Sequence, residues 1–122
     1  MQEAGIDDIC IVVSPKHEAM FRKQLGHLNL TYVIQDIPKG TGHAVFITEE
    51  FAHGDNIMVA YGDNIIADRI TARDFTGGAR LYLLQVRDPD RFGVVEIQDG
   101  RITRFVEKPK SPPSNYATAG LY

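Results

Sequence analysis

The chain has 122 residues, 43% of them hydrophobic and 24% charged, with 13 basic and 16 acidic side chains and a net charge of −3. That is ordinary globular composition, enough for one domain with a modest core. The balance gives no electrostatic case for nucleic acid or a membrane surface, and no apolar stretch approaches the length of a membrane span. The single cysteine, Cys10, excludes an internal disulfide and suits a reducing compartment. The first residues, Met1-Gln2-Glu3-Ala4, carry neither a basic nor an apolar leader region, so a cytoplasmic location is expected.

In chain order, residues 1–5 read as the tail of a helix ending at Gly5. Ile9-Cys10-Ile11-Val12-Val13 is a continuous apolar run, suited to a parallel strand covered on both faces. Pro15 stands at a helix start, Ala19, Met20, Phe21 and Leu25 recur at helical spacing, and Gly26 can end the helix. Leu30 to Ile34 is a second strand, and Gly40-Thr41-Gly42 opens a helical segment from Ala44 to Ala52. Ile57 to Tyr61 is a third buried strand, ending at Gly62-Asp63-Asn64. Alternating strands and helices predict a parallel sheet with helical crossovers.

After residue 78 the pattern becomes strand-rich. Leu81 to Val86 is a strand, and the runs at 93–97 and 101–106 flank Asp99-Gly100, a strong hairpin signal. Pro112-Pro113-Ser114 is a loop, and Tyr116 to Tyr122 is a last strand. The chain thus begins and ends inside secondary structure, which is expected of a piece of a larger domain. Exposed strand edges would then invite pairing between chains, a possible homo-oligomer.

Four places can carry chemistry. Asp63 follows an apolar strand, where ligands of open α/β sheets collect; one carboxylate there can start a Mg²⁺ site completed by phosphate and water. Gly-Asp-Asn is equally good turn chemistry, and by itself the tripeptide favours a plain turn. Gln35 precedes the Gly-rich turn at Gly40, whose backbone would allow close approach of a planar ligand. The Gln side chain offers one donor and one acceptor edge, matching the imide of uracil or thymine. A flexible loop with an N-cap at Thr41 explains the same residues as well. There is no Walker A sequence. Glu107-Lys108 pairs a carboxylate for sugar hydroxyls with a point charge for phosphate, although two solvated strand-end charges are the commoner case. Gly93 after Phe92 can bring backbone close to a ligand, or merely start a strand. The four histidines, His17, His27, His43 and His53, show no metal spacing and are assigned no catalytic role; Cys10 is assigned to the core.

Taken in order, Tyr32-Val33-Ile34-Gln35, Gly40-Thr41-Gly42-His43-Ala44, Tyr61-Gly62-Asp63-Asn64, Asp88-Pro89-Asp90-Arg91-Phe92-Gly93, Val106-Glu107-Lys108-Pro109 and Ser114 to Tyr122 resemble the sugar-1-phosphate nucleotidyltransferase family, most closely its glucose-1-phosphate thymidylyltransferase branch. The resemblance spans the whole chain. It implies a Rossmann-like α/β three-layer sandwich with a mostly parallel central sheet, here in part, with a nucleotide-binding half at 1–78 and a sugar-phosphate half at 79–122. It also implies Mg²⁺-dependent transfer of a nucleotidyl group from dTTP or UTP to a sugar 1-phosphate, in nucleotide-sugar biosynthesis. On this reading Asp63 and Lys108 are catalytic and Asp63 holds Mg²⁺. Gln35, Gly40 and Thr41 meet the nucleotide, while Tyr61, Gly62, Phe92, Gly93, Glu107, Thr118 and Tyr122 line the sugar side.

The departures from the family also carry expectations. The opening Gly-rich, Arg-containing loop that holds triphosphate is absent from these residues, as is a second, downstream metal-binding Asp, so the 122 residues alone are expected to be inactive. Phe92 stands where Tyr is usual and Tyr61 where an aliphatic residue is usual. The connection from Ile65 to Gly78 is short, predicting a short or distorted helix. Thymine and uracil differ by one methyl, worth about 0.8 kcal/mol of burial, and both remain open. So does a non-catalytic binding module of the same fold, against which the retention of Gln35, Asp63 and Lys108 argues.

Overall fold

The structure, a computed structural model, describes residues 5–67, 70 and 78–122. They fall into two compact units, one holding residues 5–57 and 70, the other 58–67 and 78–122. The expected helix tail at 1–4 and most of the short connection from Ile65 to Gly78 lie outside the described residues. No helix among those described is long and apolar enough to cross a membrane.

In the first unit, β1 (Cys10–Val13) and β2 (Thr31–Ile34) pair in parallel, with Cys10 opposite Thr31 and Val13 opposite Ile34. The crossover is α1 (Pro15–Leu25), with Pro at its first turn as predicted. Glu18 and Arg22 form an exposed i,i+4 pair at 2.8 Å, and the Arg22 guanidinium lies 4.3 Å from the centre of the Tyr32 ring, tying helix to strand. Among the described residues of this unit only Val13 is buried, at 5% exposure. The expectation that β1 is covered on both faces is therefore corrected. Among the described residues this sheet has two strands, so each strand is also an edge and its apolar side chains are half-covered. Burial still pushes the Cys10 thiol above its ordinary pKa, and a hydrogen bond with the Val33 backbone offsets part of the shift.

The helical segment expected at 44–52 divides into α2 (Thr41–Phe46) and α3 (Glu49–Ala52). Thr48 causes the break: its hydroxyl donates to the Val45 carbonyl at 2.7 Å, and its own N–H bonds to the same oxygen at 3.0 Å. Such back-bonding competes with helical continuation.

The second unit is a four-stranded antiparallel sheet of β3 (Leu83–Gln85), β4 (Gly93–Gln98), β5 (Arg101–Glu107) and β6 (Tyr116–Thr118), ordered β3-β6-β4-β5. β4 and β5 form the predicted hairpin. Asp99 and Gly100 take φ of 51° and 73°, the paired positive values of the turn that matches strand twist. Val94 and Val95 are both 0% exposed. Adjacent strand residues point to opposite faces, so the sheet is covered on both sides there.

Of the third strand expected at 57–61, residues 59–61 pair with the end of the chain. Val59 and Tyr122 exchange backbone hydrogen bonds at 2.9 Å each way, Tyr61 N–H donates to the Gly120 carbonyl at 2.9 Å, and Ala60 bridges Leu121 antiparallel. Residues 59–61 thus satisfy their backbone on the end of the chain, and Ile57 stays 43% exposed. On its other side the same chain end bonds to Tyr82, whose N–H donates to Leu121 and whose carbonyl accepts from Ala119. Mixed α/β architecture with a parallel pair is what the sequence led us to expect, although most of the strand pairing here is antiparallel.

Gly120 is the tight point of this seam. Its φ is +65°, and a Cβ there would fall 2.8 Å from Tyr61 Cδ2 and press on the Asn64 amide as well. Gly120→Ala is therefore expected to lower stability by about 2–4 kcal/mol, combining the left-handed backbone penalty with overpacking, as read by urea unfolding. The raised Cys10 pKa predicts slower alkylation by iodoacetamide at pH 8 in the folded chain than in urea, because less thiolate is present.

Candidate functional site

Asp63 sits in a β-turn closed by Asn64 N–H on the Tyr61 carbonyl at 3.2 Å, with Gly62 and Asp63 as its central residues. The turn reading of Gly-Asp-Asn is thus correct as local structure. It does not consume the carboxylate. Asn64 makes the anchoring contact, its Nδ2 donating to the Ala119 carbonyl at 2.7 Å. Asp63 is exposed, and its carboxylate has no partner among the described residues. The turn follows residues pinned to 120–122, so the backbone that carries Asp63 is fixed while its side chain stays available.

The same strand end carries Thr118 and Tyr122. Burial chiefly raises the Tyr122 pKa, with the neighbouring Thr118 side chain opposing the shift and Tyr61 and the Glu107 carboxylate adding to it. The Tyr61 and Tyr122 rings lie 5.7 Å apart at 54°, a tilted contact of the favourable kind. Gly93 lies opposite Glu107 in the β4–β5 ladder. A Cβ on Gly93 would stand 2.8 Å from Glu107 Oε2, 3.6 Å from Phe105 Cε1 and 3.7 Å from Thr118 Oγ1. A side chain there would push aside the end of the exposed Glu107 side chain, so the absence of a Cβ leaves that carboxylate room beside the Gly93 backbone. Tyr61, Gly93, Glu107, Thr118 and Tyr122 are brought together by the sheet, a carboxylate and three hydroxyls around a glycine.

Lys108 follows β5 directly. Its N–H donates to the Phe92 carbonyl at 3.0 Å, and its φ is 42°. A lysine held in the left-handed region is strained by about 1–2 kcal/mol, and such strain concentrates at functional positions. Its Nζ lies 3.8 Å from Glu107 Oε1, with both side chains largely exposed, so the pair is weak and the ammonium stays free for another anion. Phe92 is 38% exposed, and the Arg91 guanidinium stands 5.8 Å from its ring centre.

Gln35, Gly40 and Thr41 lie in the first unit. Gln35 extends β2 by one hydrogen bond, its N–H donating to the Val13 carbonyl at 2.8 Å. Its side-chain nitrogen reaches the Gly40 carbonyl at 3.3 Å and His43 Nδ1 at 2.8 Å. Gly40, at φ 94°, occupies the N-cap position of α2, and Thr41 is the first helical residue rather than the cap. His43, assigned no catalytic role from the sequence, is the neighbour that meets the Gln35 side chain. The signal was present, since His43 lies on the first turn after the loop that Gln35 enters.

Among the described residues no three His, Cys, Asp or Glu side chains gather as a metal site. A lone exposed carboxylate suits Mg²⁺, which takes hard oxygens and usually completes its shell with phosphate and water. It does not suit a resident ion that binds without a phosphate ligand.

Comparison with known proteins places these residues in context. The nucleotidyl transferase family model matches residues 1–122. The chain is 36% identical over 131 aligned positions to the glucose-1-phosphate thymidylyltransferase of Neisseria meningitidis, covering 98% of this chain and 46% of that protein. The aligned span exceeds 122 residues, so the relative carries residues within the matched region that this chain lacks. A crystal structure described as a glucose-1-phosphate thymidylyltransferase from Bacillus anthracis superposes with a TM-score of 0.90 at 35% identity, covering 98% of this chain and 53% of that one. A UDP-glucose pyrophosphorylase structure superposes at 0.71 with 20% identity over 98% of this chain and 60% of its own, a likeness of fold. The chain therefore spans about half the length of the curated relatives it matches, and throughout its 122 residues it belongs to the nucleotidyl transferase family.

Proposed function

We propose that the protein containing this chain transfers a nucleotidyl group from dTTP or UTP to a sugar 1-phosphate, releasing pyrophosphate and forming a nucleotide-sugar. The observation that carries the reading is the convergence of Gly93, Glu107, Thr118 and Tyr122 beside the segment after β6 that anchors the Asp63 turn. The family match supports it, as do relatives that are thymidylyltransferases.

In the reaction a phosphate oxygen of the sugar 1-phosphate attacks the α-phosphorus, the α–β phosphoanhydride bond breaks, and pyrophosphate leaves with the electron pair. Such transfer needs positioning and charge neutralisation more than a protein nucleophile. Glu107, Thr118 and Tyr122 would bind sugar hydroxyls, and the Gly93 backbone would let the ring approach. Lys108 would hold the sugar phosphate as a point charge. Phe92 contributes an apolar wall in place of a hydroxyl. Gln35, with the backbone at Gly40 and Thr41, would read the pyrimidine. Asp63, next to Gly62, would hold Mg²⁺; when bound, the ion would neutralise phosphate charge and favour pyrophosphate as a leaving group.

The test is pyrophosphate release with glucose 1-phosphate and dTTP or UTP. The full-length protein should turn over, and residues 1–122 alone should not, since they lack the Gly-rich, Arg-containing loop. Asp63→Asn in the full-length protein should lower turnover by about 100-fold or more, given that even residues behind metal ligands are worth 10–100-fold. Loss of Asp63 without effect on turnover would sink the metal assignment. Lys108→Gly should separate stability from function. It should raise stability by about 0.5–1 kcal/mol in thermal unfolding, by relieving the left-handed backbone. The same change should raise KM for the sugar phosphate about tenfold.

A further inference from the structure

The Gln35 carboxamide is oriented by its neighbours. Its Nε2 lies 3.3 Å from the Gly40 carbonyl oxygen and 2.8 Å from Nδ1 of His43. A carbonyl can only accept, so the group facing it must be the amide nitrogen and not Oε1. That nitrogen has only hydrogens to offer, so His43 Nδ1 must accept, and the imidazole is neutral with its proton on Nε2. The Gly40 carbonyl is itself aimed by the helix, since it also accepts from Ala44 N–H at 3.2 Å. Both amide hydrogens of Gln35 are thereby used. Its Oε1 has no partner among the described residues.

A glutamine with a free carboxamide is ambiguous as a reader, since rotation by 180° exchanges its donor and acceptor edges at little cost. Here the flipped state would set Oε1 against the Gly40 carbonyl and against the Nδ1 lone pair, two repulsive contacts in place of two hydrogen bonds. Uracil and thymine carry a proton on the ring imide nitrogen and would satisfy an acceptor. The corresponding nitrogen of cytosine is itself an acceptor and would face Oε1 lone pair to lone pair.

We propose that His43 is a positioning residue for base selection: held as the Nε2–H tautomer, it locks Gln35 into an acceptor-only edge that takes an imide base and rejects cytosine. This rests on the reading of Gln35 as the pyrimidine contact. His43 itself touches Gln35 and not the base.

The experiment uses the full-length protein at pH 8. Nitrogen-15 NMR of the histidine rings should show His43 protonated at Nε2 with Nδ1 bare. By equilibrium titration the wild type should bind UTP and dTTP at least about tenfold more tightly than CTP, the worth of one matched against one mismatched hydrogen bond. His43→Leu, similar in size but without an acceptor, should compress that ratio to within about threefold. His43→Asn, whose side-chain oxygen can accept in place of Nδ1, should restore it. A ratio between bases is insensitive to a general loss of stability. A proton on Nδ1, or a His43→Leu variant that keeps the wild-type ratio, overturns the proposal while leaving the base contact standing. Failure of the underlying reading looks different: Gln35→Ala would leave UTP binding unchanged, or the wild type would bind ATP as tightly as UTP, and the proposal would fall with it.

Discussion

Everything in the second unit depends on the seam between residues 59–64 and 119–122. Val59 and Tyr122 exchange hydrogen bonds, Tyr61 bonds to Gly120, and the Asn64 side chain reaches the Ala119 carbonyl. On the far side Tyr82 bonds to the same chain end. A segment bonded on both edges has no freedom to slide, and Leu121, 2% exposed, holds it from beneath. One result is that Asp63 is held on one backbone frame with Thr118 and Tyr122, which lie far along the chain from it. Gly120 is what lets the two segments approach, because its missing Cβ leaves room for Tyr61 and Asn64.

The groups this frame presents are polar and mostly solvated. Asp63, Glu107 and Lys108 are exposed, and the one ion pair among them is loose. A structural ion-pair network would be shorter and better satisfied. Charges left available at strand ends, beside a strained lysine backbone and a glycine crowded by a carboxylate, are better suited to a ligand that brings phosphate and hydroxyls. The first unit follows a different logic. Its polar groups are tied to one another, Gln35 to Gly40 and His43, so that one oxygen of the carboxamide remains unspent. On the proposed function, positioning of that kind would bear on which base is accepted rather than on how tightly phosphate is held.

Several local features were legible from residues alone. Asp99-Gly100 predicted its hairpin because two adjacent left-handed residues are tolerable only for a few side chains. Pro15 predicted the start of α1 for the same kind of local reason. Gly93 was noted as a close-approach glycine, and only the structure shows that Glu107 is what approaches. An apolar run such as 57–61 reports burial tendency and not its pairing partner, and only the structure shows that 59–61 pair with 120–122. The helix at 44–52 was drawn as one because periodicity does not register a threonine that bonds back to its own turn.

The sequence by itself determined the family, through the order and spacing of its short motifs, and it determined the turn at Gly62-Asp63-Asn64, because turn formation depends on neighbouring residues. Only the tertiary structure decided that Asn64 takes the anchoring bond and leaves the Asp63 carboxylate without a partner among the described residues. It alone gathered Gly93, Glu107, Thr118 and Tyr122, and it alone set His43 against the Gln35 side chain. These outcomes rest on which distant atoms meet across strands and loops, and a linear pattern of residue types carries no record of such contacts.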